Sequence, residues 1–141
     1  MAAANQNSSD EQKEVMRIAT DYFMQEFGSE EKTNMMLQSL AKTITEDSAK
    51  LIHIGNVLFL VLVRGKGVVE VHTLGNEAQP RDLAKDFHQL AADLKMLGVK
   101  TAYTYTEDKR FSRLAKMTGL PFKELAVKVK GKPMTAYVLE L

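Results

Sequence analysis

The chain has 141 residues, 45% of them hydrophobic and 26% charged, and its 19 Lys and Arg against 18 Asp and Glu leave a net charge of +1. That length fits one domain with enough apolar side chains for a core, which excludes wholesale disorder, and the balanced charge argues against a protein that coats nucleic acid. Without cysteine there are no disulfides, thiolate metal sites or cysteine nucleophiles.

Residues 1–9 are small and polar and are expected to form a flexible lead-in to a single domain over 10–141. Residues 1–10 show no basic stretch followed by an apolar one, so no secretory signal is expected. Ser9 followed by Gln12 fits a capping box. It opens a helix over about 10–27, striped by Val15, Ile18, Ala19, Tyr22 and Phe23 and stopped by Gly28. Ser29 caps a second helix over about 30–46, with Met36, Leu37, Leu40, Ala41 and Ile44 as its stripe.

The period then changes. Residues 51–54, a Gly55-Asn56 turn and residues 57–63 read as an antiparallel hairpin. The run 57–63 is the longest apolar one, far short of the about 20 residues of a membrane span; it is apolar on both faces and so belongs at the centre of a sheet. After the turn Arg64-Gly65-Lys66-Gly67, residues 68–74 alternate: Val69, Val71 and Thr73 share one face, and Val68, Glu70, His72 and Leu74 the other. A loop over 75–80 leads to a helix over about 81–97 with Leu83, Phe87, Leu90, Ala91 and Leu94 in one stripe and Gly98 at its end. Residues 101–105 form another strand. Glu107 or Asp108 opens a short helix with Phe111, Leu114 and Ala115 inward, Gly119 ends it, and Pro121 blocks its continuation. Residues 122–129 and 135–141 are two last strands joined by Lys130-Gly131-Lys132-Pro133. The order α-α-β-β-β-α-β-α-β-β predicts an α/β (α+β) fold: one central sheet, mixed but mostly antiparallel, with helices on both faces and a right-handed crossover between two parallel strands in the middle.

Chemistry-bearing patterns are few. His53, His72 and His88 stand at no metal-type spacing, so no metal is expected, and no G-x-S-x-G is present. Two basic turns, one at 64–67 and one carrying Lys128, Lys130 and Lys132, suit phosphate or an acidic partner. Solvated hairpin tips are the commoner reading, and nucleic acid stays open as a partner. Met16, Met24, Met35 and Met36 crowd the first two helices; such stripes are usually core, though methionine also suits adaptable binding surfaces.

This element order resembles the GNAT N-acetyltransferase fold without its first strand, over residues 10–141. The stretch from Glu107 to Phe122, with the hairpin ending in Tyr137-Val138-Leu139, is also similar to small degenerate GNAT-like proteins of short-tailed phages. The resemblance implies an acyl-CoA loop of the form Q/R-x-x-G-x-G/A, whose backbone N–H groups and following helix N-terminus receive the pyrophosphate. The matching stretch is Gln79-Pro80-Arg81-Asp82-Leu83-Ala84. Gln79 and Ala84 match. Asp82 replaces the close-approach glycine, so a side chain blocks the backbone and a carboxylate stands where phosphate charge would lie. Two unit charges about 4 Å apart repel by roughly 4 kcal/mol at an effective dielectric near 20. Pro80 removes an N–H as well, although an Asp in a first helical turn is also ordinary dipole complementarity.

The resemblance further implies a glutamate base on the strand before that loop. Glu70 is suitably placed, with His72 on the same face; such a base needs a pKa near the working pH, and the alternative is a polar pair on a partly solvated face. The implied acid is a tyrosine four residues before the glycine ending the last helix, and counting back from Gly119 gives Ala115, which has no proton to donate. Tyr103 and Tyr105 share a strand face, for packing or for a hydroxyl. Asp82 and Ala115 together lead to the expectation of a GNAT-like domain with an impaired acyl-CoA site and no cofactor. It would be a non-catalytic structural or interaction protein, phage- or virion-associated, located in the host cytoplasm or the virion, its partner another copy or a virion or host protein. The alternatives are an active acetyl-CoA-dependent N-acetyltransferase using Glu70 or His72, and a host-directed inhibitor that binds a protein or nucleic acid through the basic turns. The missing first strand leaves a sheet edge open to pairing.

Overall fold

Helical periodicity gives way to alternation near residue 46, and the backbone follows it. The computed structural model describes residues 2–46, 48–55, 57–74 and 80–141, with side chains except at 2–9, 45, 80 and 81. Its elements are α1 (Ala2–Phe27), α2 (Glu30–Thr45), β1 (Ala49–Ile54), β2 (Val57–Gly65), β3 (Val68–Leu74), α3 (Pro80–Met96), β4 (Thr101–Thr106), α4 (Arg110–Thr118), β5 (Lys123–Val129) and β6 (Lys132–Glu140). The expected start of the first helix is corrected. α1 begins at Ala2, so the stretch read as a flexible lead-in is helical, and Ser9 lies inside the helix rather than capping it. Ala2, Ala3 and Ala4 have the highest intrinsic helix propensity, which favours the extension. Ser29 does cap α2: its hydroxyl accepts from the Lys32 N–H, and Glu30 and Glu31 follow in the first turn.

The six strands form one sheet in the order β1-β2-β3-β4-β6-β5. Every neighbouring pair is antiparallel except β3 with β4, which is parallel. This parallel seam is short. Only Val68, Val69 and Glu70 pair, with Thr101, Ala102 and Tyr103. Its base is pinned by the Gly67 carbonyl, which accepts from Lys100 N at 2.8 Å and Thr101 N at 3.0 Å. Beyond Glu70 and Tyr103 the two strands run on unpaired with each other.

The two faces of the sheet bury different clusters. Val57, Phe59, Val61, Val69, Val71 and Ala102 pack with Phe87, Leu90 and Leu94 of α3. Leu58 and Leu74 pack with Ile18, Ala19 and Phe23 of α1, joined by Leu37 and Leu40 of α2. β2 is therefore covered on both sides, as its unbroken apolar run requires. An aromatic chain crosses the α3 face: Phe59 to Phe87 at 5.3 Å, Phe87 to Phe111 at 5.8 Å, and Phe111 to Tyr137 at 4.7 Å between ring centroids. It ties β2 to α3, α3 to α4, and α4 back to β6.

The last hairpin is tighter than expected. Its turn is Lys130-Gly131 alone, at φ 51° and 82°, and Val129 opposite Lys132 closes the ladder. Two successive positive φ values are those of a type I′ turn, which favours Asn-Gly. Pro133 lies within β6 opposite Lys128, while pairing with β4 starts only at Thr135, so its missing N–H leaves no ladder bond unmade. Holding Lys130 in the left-handed region costs about 1 kcal/mol. Lys130→Asn is expected to recover most of that, read as a higher urea midpoint with unchanged slope; an unchanged midpoint would show the turn to be unstrained.

Candidate functional site

β3 and β4 separate towards their C-terminal ends, and the chain's candidate groups flank that opening. On the α3 face it holds an apolar cavity of about 40 Å3, lined by Val71, Thr73, Phe87, Ala102, Phe111 and Tyr137 among others. α3 begins just past β3, with Asp82 in its first turn. Asp82 is exposed, Leu83 packs against the core cluster, and Ala84 is buried. Gln79 lies outside the described residues, as does the side chain of Arg81. One turn further on, Asp86 comes within 3.4 Å of where a Cβ on Gly55 would stand. Burial, and after it the charge of Asp82, pushes the Asp86 carboxyl above its ordinary value. The first two turns of α3 thus carry one carboxylate each, near the helix end whose dipole favours anions.

On the opposite face Glu70 sits at the last row of the seam, its side chain 6% exposed. Four donors converge on it. Arg64 Nε reaches Oε1 at 3.1 Å and Tyr103 Oη donates to the same oxygen at 3.2 Å. Tyr105 Oη donates to Oε2 at 3.4 Å, and His72 Nε2 bonds to that oxygen too. Burial raises the carboxyl, but the hydrogen bonds and charges of His72 and Arg64 outweigh it, and the net effect lowers the Glu70 pKa. Burial and then the Glu70 charge raise both tyrosines. A carboxylate saturated by donors and held ionised is a poor proton acceptor.

Sequence reasoning paired Glu70 with His72 and placed Tyr103 and Tyr105 on one face, all of which the structure brings together. It missed Arg64, read as part of a solvated turn. The β2–β3 register slips between Val63 and Gly65, and a bulged residue re-aims its side chain, here onto Glu70. The partly solvated pair envisaged for Glu70 grows into a network of five side chains in which Glu70 is buried, His72, Tyr103 and Tyr105 are partly buried and Arg64 is half-exposed.

The remaining candidates scatter. Ala115 is buried, with its carbonyl taken by Thr118 Oγ1 at 2.6 Å. His88 bonds to the Thr118 carbonyl and joins α3 to α4, while His53 lies 3.7 Å from Glu11. Among the described residues no three ligating side chains gather as a metal site would require. The two basic turns lie at opposite ends of the sheet, one beside the start of β4 and the other beside its end, so they form no common patch. Met16, Met24, Met35 and Met36 are exposed rather than core.

No protein-family model and no curated protein matches the sequence. Solved structures do resemble it. A chimera of the Vibrio cholerae spermidine N-acetyltransferase SpeG with hSSAT superposes with a TM-score of 0.61 at 13% identity, over 88% of this chain and 89% of that one. A putative ribosomal-protein-serine acetyltransferase from Vibrio cholerae gives 0.60 at 12%, over 94% and 89%. The PaiA N-acetyltransferase from Thermoplasma acidophilum, in complex with coenzyme A, gives 0.58 at 11%, over 94% of each chain. At such identities the likeness establishes the fold alone: this chain has the GNAT fold, in the strand and helix order expected of it.

Proposed function

We propose that this GNAT-fold chain does not transfer acyl groups and serves as a structural or interaction protein. The observation that carries this reading is the pair of carboxylates, Asp82 and Asp86, at the N-terminal end of α3, where backbone N–H groups and an approachable glycine would otherwise receive phosphate. Two features support it. Glu70 is saturated by its donors, and the position of the family's acid is the buried methyl of Ala115. An acetyl-CoA-dependent enzyme would need another base and another acid. A host-directed inhibitor acting through its basic turns would need them together, and they lie at opposite ends of the sheet. Exposed Met16, Met24, Phe27, Met35 and Met36 on α1 and α2 supply an adaptable apolar surface for a partner. The phage or virion setting, in the host cytoplasm or the particle, belongs to the same proposal and is supported by the sequence resemblance.

Calorimetry with acetyl-CoA at low salt tests the reading. No heat of binding is expected at millimolar ligand. The double variant Asp82→Gly, Asp86→Asn is expected to bind measurably more tightly than the natural chain. Micromolar binding by the natural chain would overturn the proposal and turn attention to an amine substrate.

A further inference from the structure

We propose that β5 is the edge through which two copies of this chain associate, antiparallel about a two-fold axis at Ala126. β5 ends the sheet and pairs only with β6. The two-residue turn makes Val129 and Lys132 a mutually hydrogen-bonded pair. Alternation then directs the backbone N–H and C=O of Glu124, Ala126 and Lys128 away from β6, towards solvent. An antiparallel ladder centred on Ala126 sets Ala126 against its own copy. Glu124 of each copy then faces Lys128 of the other, twice by symmetry. Those are the rows whose backbone groups point outward, so ladder bonds and opposite charges coincide. On the other face of the ladder Leu125 meets Val127. Leu125 is 52% exposed in the single chain, and it gains an apolar cross-strand neighbour. Ser112 Oγ already donates to Glu124 Oε1 at 2.9 Å, which orients the carboxylate and leaves Oε2 for the lysine.

The other edge lacks this pattern. A self-paired β1 would be centred on Leu51 or Ile52 and would set Lys50 against Ile52 or Ile54, with no opposite charges in any row. The open edge expected at β1 is therefore the less suited of the two. β5 also carries neither a proline nor a register slip to blunt it. The association does not depend on whether acyl-CoA binds.

Sedimentation and light scattering over a wide concentration range test the proposal. The mass is expected to rise from 15.8 kDa towards twice that value. Lys128→Glu and Glu124→Lys each put like charges in two rows, and each is expected to weaken association by about tenfold or more. The double reversal is expected to restore it, with circular dichroism confirming that each variant is folded. In a chain without other cysteines, Ala126→Cys is expected to give a disulfide-linked dimer on mild oxidation, because facing residues in such a row lie about 5.5 Å apart between Cα atoms. A monomer at every concentration overturns the proposal. So does a dimer indifferent to both single reversals, or association only with a different protein.

Discussion

Glu70→Ala is expected to lower folding stability by about 2–4 kcal/mol, more than any other polar substitution in the chain. The carboxylate is the common acceptor for Arg64, His72, Tyr103 and Tyr105, and it sits on the last row joining β3 to β4. Alanine leaves the donors without an acceptor and a gap at the seam. Arg64 is half-exposed and can turn to water, which keeps the loss below that of a fully buried ion pair. Urea unfolding gives the size of the effect. A loss under about 1 kcal/mol would mean that the network is an exposed pairing of little consequence. The pH dependence follows from the same bonds. A carboxyl held below its ordinary value stabilises the fold at every pH above its unfolded value, and that contribution is lost as pH falls through the lowered folded value. Glu70→Gln is therefore expected to flatten the acid limb of the stability profile, and the gap between variant and natural chain is expected to close as the pH drops. A gap that widens towards acid would reverse the assignment.

Phe87→Ala is expected to cost about 3–5 kcal/mol. Phe87 is the middle of the aromatic chain, in contact with Phe59 on one side and Phe111 on the other, and it also lines the 40 Å3 cavity. Its removal enlarges that cavity with apolar walls, and an apolar void of this kind takes up small aromatic molecules rather than water. Benzene is accordingly expected to raise the melting temperature of the variant and to leave that of the natural chain unchanged. A variant indifferent to benzene would show that α3 had collapsed into the space. The change also loosens both α3 and α4, since this ring joins α3 to β2 and α4 to α3, and a loss confined to one helix in hydrogen exchange would break that link.

The architecture was largely readable because its signals are local. The double-sided apolar run of β2 marked a strand covered on both faces, although it stands second from the edge rather than at the centre; the alternation in β3 sorted Glu70 and His72 from Val69 and Val71, and the stripe of α3 named Phe87, Leu90 and Leu94 as core. The first helix was misjudged because small polar residues after an alanine run have no apolar stripe to announce a helix, and backbone propensity decided instead. The candidate site was half readable. Glu70 and His72 are two residues apart, so strand geometry alone places them together. Tyr103 and Tyr105 reach Glu70 through the register of a parallel pair thirty-odd residues distant in sequence, which no local pattern encodes. Arg64 reaches it through a bulge, and a one-residue slip leaves no mark on composition. The exposed methionines of α1 and α2 reversed the usual expectation because helix packing here is satisfied by Ile18, Ala19, Phe23, Leu37 and Leu40.

The shortness of the β3–β4 seam gives the molecule a fault line. Three strands are strung together in sequence on one side of it, and on the other the closing hairpin is wrapped against β4; each group is laced by long antiparallel ladders. Between them stand three rungs and the clasp at Gly67. A load applied across the sheet would concentrate there. The first thing to part would be the joint, with both plates still intact, and the buried carboxylate at its last rung acts as the rivet that keeps a crack from starting.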